Sequence, residues 1–333
     1  MDKNIYIISS RYCGRKHVSY NTILGLENEF TNICHAEIFC FSKRIFWFNK
    51  VLRKLKIGRQ ILDKKIIKEI IRTDKKCFFA SMNIIDLVEF KYSLQFIKEH
   101  LILYIFDCWE KQWNQYEEIF NEIDPWAICF AYKKAANHFS LVRKNCWFMP
   151  QSMDIRYFHD YNIEKSRLFM QMGRRTEPLH DIVISYLESK NIEDNEKNYV
   201  YEKRGGNIIF PDTNVLAQEI SKTYFFIAAP QDVTNNQLTG NISEVTARFY
   251  EAMACKSLII GIKPSDTFDE LFPYQEAMIE VNLTNFNQKI DFLLEDKEKY
   301  IKIVNKNHDY VMKNHRWKNR YEDLIQKIIS ESI

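Results

Sequence analysis

Short, almost continuous apolar runs recur along the chain, each separated from the next by stretches of helical spacing. In the first half they fall at 5–9, 36–41, 77–82, 101–106, 126–131 and 146–150. They are rich in Ile, Phe, Tyr and Cys, as parallel strands buried on both faces are expected to be. Residues 18–29 and 110–123 carry the helical spacing between them. The pattern restarts with runs at 168–172, 199–201, 224–229, 258–262 and 278–281, with helices predicted at 179–189, 213–221 and 244–254. Helical material alone fills 287–332. Strand–helix alternation of this kind predicts doubly wound parallel sheets. A length of 333 residues suits two domains. The polar stretch 151–165 separates the two strand series. The expected division is 1–150, 151–312 and a closing helical segment 313–333 that returns to the first domain.

Composition narrows the class. Hydrophobic residues make up 46% and charged residues 27%, as in ordinary globular proteins. A net charge of +3 argues against a nucleic-acid partner. The eight cysteines form no Cys-x-x-Cys pair and most lie in apolar runs, so they read as buried free thiols. No apolar stretch reaches the ~20 residues of a membrane span, and the N-terminus has no signal-peptide pattern. A cytoplasmic protein is expected. There is no Gly-x-Gly-x-x-Gly, Walker, Asp-x-Asp or His-Glu-x-x-His motif. Their absence weighs against a dehydrogenase, a kinase and a metalloprotease, and no metal or other cofactor is expected.

The most informative segment is SEVTARFYEAMACKSLIIG, residues 243–261. It predicts a helix capped by Ser243 and followed by a buried strand. Glu244 would sit near the positive helix end. Glu251, seven residues on, would share its stripe about 10 Å away.

YEAMACKSLIIG resembles the signature helix of GT-B glycosyltransferases, in particular the large retaining group 1 family with its Glu-x7-Glu pattern. The resemblance implies two Rossmann-like domains facing across a cleft, a nucleoside diphosphate sugar as donor, and a metal-independent transfer. It implies that Glu251 binds the donor ribose and that the helix start at Ser243, Val245 and Thr246 faces the diphosphate. The first acid of the pattern should stand at position 243, where this chain has Ser243, with Glu244 displaced by one. The usual Gly after the Cys is Lys256. FMPQSMD at 148–154 resembles the interdomain crossover, and FMQMGRR at 169–175 the first strand of the second domain. There Gly173 would permit a tight turn, and Arg174 or Arg175 would approach the donor phosphates. HRWKNRYEDLIQKI resembles the closing helix.

In the first domain the loop after the first strand offers Arg11, Gly14, Arg15 and Lys16 to the acceptor side, and His17 as a candidate proton carrier. Asp107 ends a buried run, where either a catalytic group or a helix cap belongs. Residues 43–72 hold eleven Lys and Arg against Asp63 and Glu69. Ile45, Phe48, Leu52 and Leu55 follow helical spacing there, and Gly58 should divide two helices. With its aromatic residues the stretch suits an anionic membrane surface, through Lys50, Arg53, Lys54 and Lys56. The expected function is sugar transfer to a glycan or lipid-linked acceptor in bacterial-type surface polysaccharide assembly, with peripheral attachment to the inner face of the membrane. The competing expectation is a non-catalytic nucleotide-sugar-binding or scaffold protein of the same fold.

Overall fold

The computed structural model describes residues 5–12, 20–57, 60–72, 77–173, 175–202 and 209–331. Two compact units divide the chain. The first comprises Met1–Gln151 with Arg320–Ile333, and the second Ser152–Asn319.

In the first unit the elements run β1 (Ile5–Ser9), α1 (Asn21–Cys34), β2 (Ile38–Cys40), α2 (Lys43–Lys54), α3 (Lys64–Arg72), β3 (Cys77–Met82), α4 (Ile84–Gln95), β4 (Leu101–Ile105), α5 (Trp113–Ile123), β5 (Ala127–Phe130), α6 (Lys133–Ser140) and β6 (Cys146–Phe148). The strands form one parallel sheet in the order β2-β1-β3-β4-β5-β6. Every residue of β3, β4 and β5 is buried, which is why these strands read as unbroken apolar runs. Phe30 of α1 packs on Phe79 of β3 with ring centroids 4.9 Å apart. Each such buried side chain stabilises the fold by about 1.5–3 kcal/mol.

The second unit continues with β7 (Arg167–Gln171), α7 (Glu177–Ser189), β8 (Tyr199–Tyr201), α8 (Thr213–Ser221), β9 (Thr223–Ala228), α9 (Gln231–Thr239), α10 (Ala247–Ala254), β10 (Leu258–Gly261), α11 (Phe268–Leu271), β11 (Ile279–Glu280), α12 (Phe286–Glu295) and α13 (Lys297–Asn314). Its sheet is also parallel, in the order β8-β7-β9-β10-β11. Both sheets therefore start with the same reversal, the chain stepping to one side of the first strand and then to the other. The crevice at the carboxyl ends of the strands flanking that reversal is where such sheets bind ligands.

The last helix, α14 (Trp317–Glu331), belongs to the first unit from Arg320 onward. Arg320 Nε donates to the Pro150 carbonyl at 3.1 Å, and the Tyr321 ring meets Phe30 edge-on at 5.3 Å. The expected boundaries at 150 and 312 lie one and seven residues from those of the units.

Candidate functional site

In the second unit the reversal lies between β7 and β9. Strand β7 ends at Gln171 and passes through buried Met172 into Gly173, whose φ of +80° places it in the left-handed region. Glycine enters that region without steric cost. It has a second reason to be glycine here. A Cβ at position 173 would stand 1.9 Å from Arg248 Nη2 and 2.2 Å from its Cζ, so the Arg248 guanidinium lies directly against the turn.

Arg248 is exposed in the first turn of α10. The helix forms because Phe249, Tyr250, Ala252, Met253 and Ala254 bury against the sheet. Arg248 and Glu251, one turn apart, remain for the other face. Glu251 is half-buried. Burial pushes its carboxyl up to about 7, with the Arg248 charge pulling the other way.

The close of α10 explains Lys256. Its N–H donates to the Met253 carbonyl at 3.1 Å, and the Ser257 N–H to the Ala252 carbonyl at 2.9 Å. This double closure needs a left-handed residue, ordinarily Gly, after the helix. Lys256 takes that conformation with φ of 55°, and its ammonium pairs with Asp160 at 2.9 Å.

The start of α10 departs from the sequence expectation. The N-cap is Thr246, not Ser243, and it makes no side-chain cap bond. Residues 243–245 lie ahead of the helix because they are pinned to the loop at 265–267. The Ser243 N–H donates to the Asp266 carboxylate at 2.7 Å, and Ser243 Oγ accepts from the Ser265 N–H at 3.2 Å. Glu244 is buried and accepts from the Thr267 hydroxyl, while Val245 joins the core. Ser243 therefore does not offer its N–H at a helix start, and Glu244 does not share a helical stripe with Glu251.

Arg175 is also engaged. Its Nη2 donates to Glu177 at 2.9 Å, and its guanidinium lies 5.7 Å from the Tyr201 ring centroid. Arg174 lies outside the described residues. Arg248 escaped the sequence reading. The available signal was a lone base three residues before Glu251 in an otherwise apolar helix.

In the first unit the corresponding reversal lies between β1 and β3. Here Arg11 turns inward. Its Nη2 meets Glu27 Oε2 at 2.6 Å, and Ser9 Oγ donates to the same oxygen at 2.7 Å. Ser10 Oγ donates to Asp86 at 2.9 Å. Glu27 is buried, and burial raises its carboxyl above the usual range against the pull of Arg11. Arg11 is thus a structural anchor, not an open cleft base. Gly14, Arg15, Lys16 and His17 lie outside the described residues. Asp107 is exposed and caps no helix; its carboxylate accepts from the Tyr132 hydroxyl at 3.0 Å.

The basic stretch forms α2 and α3, with Gly58 outside the described residues. The predicted apolar stripe is corrected. Phe46 and Asn49 face inward, while Phe48 and Leu55 are exposed. The reason is polar. Asn49 Nδ2 donates to the Glu89 carbonyl at 2.9 Å, Asn49 Oδ1 accepts from the Ile61 N–H at 2.7 Å, and Arg53 pairs with buried Glu89 at 2.8 Å. Lys50, Lys54 and Lys56 are exposed. Among the described residues no helix is long and apolar enough to cross a membrane, and no cluster of His, Cys, Asp and Glu could hold a metal ion. The described cysteines are free thiols; burial pushes Cys255 up to about 12 and Cys146 to about 11.

Residues 213–326 match a family model described as glycosyl transferase-like. No curated protein matches the sequence. Among solved structures, Anabaena Alr3699/HepE, determined in complex with UDP-glucose, aligns with a TM-score of 0.61 at 9% identity over 98% of this chain and 99% of that one. TarM aligns at 0.54 and 10% identity over 78% of this chain and 56% of its own length. The N-terminal domain of the Candida albicans trehalose-6-phosphate phosphatase gives 0.54 at 9% identity, over 100% and 98% of the two chains. These likenesses establish the fold, and the family match falls on the unit that carries Arg248 and Glu251. The chain has the GT-B fold, and its residues 213–326 are similar to a glycosyl transferase-like family.

Proposed function

We propose that this protein transfers a sugar from a nucleoside diphosphate donor to a glycan or lipid-linked acceptor in surface polysaccharide assembly, without a metal ion and with retention of anomeric configuration. One observation carries the reading: Glu251 stands half-buried on α10, one turn from an arginine laid against the Gly173 turn at the reversal of the second sheet. An ionised carboxylate there accepts hydrogen bonds from ribose hydroxyls, and the neighbouring cation suits the diphosphate. HepE, of the same fold, binds UDP-glucose. In the transfer, the bond from the anomeric carbon to the diphosphate oxygen breaks and its electron pair leaves with the diphosphate. The acceptor oxygen bonds to that carbon on the same face and gives its proton to the departing diphosphate oxygen. Charge builds on the leaving diphosphate, so fixed positive groups beside it lower the barrier.

The non-catalytic reading has one observation in its favour. The first position of the acid pair is Ser243, and Glu244 is turned into the core against Thr267. Turnover separates the two. Wild-type protein incubated with a panel of UDP-, GDP- and other nucleotide sugars, with lipid-linked and oligosaccharide acceptors, should release nucleoside diphosphate and form a product of unchanged anomeric configuration by NMR. Donor binding without release under any acceptor would favour the binding protein. Inverted product would overturn retention alone.

A further inference from the structure

We infer that Arg248 supplies the cation that holds the donor diphosphate, in place of Arg175. The inference rests on the donor site proposed above and names the group within it.

The position of Arg248 is the first reason. Its Cζ and both terminal nitrogens lie within 2.5 Å of where a Cβ on residue 173 would stand. The guanidinium therefore covers the turn at the carboxyl end of β7, beside the reversal of the sheet. Any side chain at 173 would displace it. Glycine here does more than turn the chain; it leaves room for a planar fork that matches phosphate oxygens in pairs.

Its relation to Glu251 is the second. Residues at i and i+3 of a helix stand about 5–6 Å apart at their Cβ atoms. Ribose and diphosphate are adjacent parts of one nucleotide, so one ligand can meet both side chains. The start of α10, with its positive end, lies on the same side as Arg248.

The third reason is the state of Arg175. It is bonded to Glu177, with Tyr201 beside it. Recruiting it to a phosphate would break that pair.

Inorganic pyrophosphate is the probe, because it reports the diphosphate site whatever the nucleobase. Calorimetry should show it binding wild type and competing with the nucleotide sugar that binds. Arg248→Ala should weaken pyrophosphate and nucleotide sugar alike by about 10- to 100-fold, the loss expected for a charge-assisted pair of hydrogen bonds. The free nucleoside should bind this variant as it binds wild type. Arg248→Lys should recover part of the loss, which also guards against misfolding of the alanine variant. Arg175→Ala should bind pyrophosphate as wild type does. Undiminished binding by Arg248→Ala, or a loss confined to Arg175→Ala, would overturn the assignment and leave the donor site standing. If wild type binds neither pyrophosphate nor any nucleotide sugar, the donor site itself falls, and the assignment with it.

Discussion

At the scale of single residues, the proposed chemistry turns on Glu251, and Gly173 and Lys256 near it lie in the left-handed region. Burial holds the Glu251 carboxyl near 7, far above the usual carboxylate value of about 4.3. A raised carboxyl pKa favours the protonated form in the folded state. Its contribution to stability is full below about pH 4.3 and is lost as pH rises through about 7. Glu251→Gln removes that dependence. Thermal unfolding should therefore show the Gln variant gaining on wild type between pH 5 and pH 8; a constant offset would mean the carboxyl is not perturbed. Donor affinity should move the other way, rising across the same window as the carboxylate ionises. Lys256 gives a second test. A non-glycine residue in the left-handed region costs roughly 1–2 kcal/mol. Lys256→Ala and Lys256→Gly both lose the pair with Asp160, but only Gly sheds the strain. Gly should be the more stable of the two by about 1 kcal/mol in urea unfolding, and equal stability would contradict the geometry. Glu251 was legible in the sequence because its neighbours spell a recognisable helix. Arg248 was not, because its meaning depends on Gly173, 75 residues earlier in the chain and brought to it only by the fold.

At the scale of elements, the apolar runs at 77–82 and 101–106 match β3 and β4 to within a residue, since burial on both faces writes itself as an unbroken apolar run. The edge strands β2 and β6 are shorter than their runs by two residues or more. The helices were read less well. The stretch at 110–123 opens with a 3-10 turn, Glu110–Gln112, and becomes α-helical only at Trp113. The helix expected from 244 begins at Ala247, because side-chain bonds from Asp266 and Thr267 hold the preceding residues to the loop at 265–267. No local propensity could have announced those bonds. The face of α2 was misread for a similar reason. Asn49 and Arg53, tied to Ile61 and Glu89, turn Trp47 and Phe48 outward at 64% and 58% exposure. Leu55, Ile57, Ile61 and Leu62 are exposed beside them, among exposed Lys50, Lys54 and Lys56. We propose that this mixed surface docks on anionic membranes. Each base contributes up to about 1 kcal/mol, screened by salt, and the aromatic side chains add an apolar part that salt does not screen. In vesicle sedimentation, Lys50, Lys54 and Lys56 changed together to Glu should abolish low-salt pelleting with anionic vesicles. Trp47 and Phe48 changed to Ser should remove what binding survives high salt. Equally poor pelleting with neutral and anionic vesicles would show that the face only meets solvent.

At the scale of the whole molecule, two sheets of the same opening topology carry different side chains at their reversals. The reversal in the first unit is closed by Arg11 on Glu27 and Ser10 on Asp86. Glu27 is buried, so removing Arg11 leaves a buried carboxylate without its cation and should destabilise the fold. The reversal in the second unit carries Gly173, a guanidinium lying against it, and a carboxylate raised by burial. The proposed activity therefore requires a ligand in the second unit. The direct measurement is calorimetric titration of a nucleotide-sugar panel into wild type and Glu251→Gln at pH 8. At least one donor should bind wild type, and the Gln variant, folded and no less stable, should bind it about 10- to 100-fold more weakly for want of a charged hydrogen-bond acceptor. Equal binding by the two proteins, or binding of no donor by either, would contradict it.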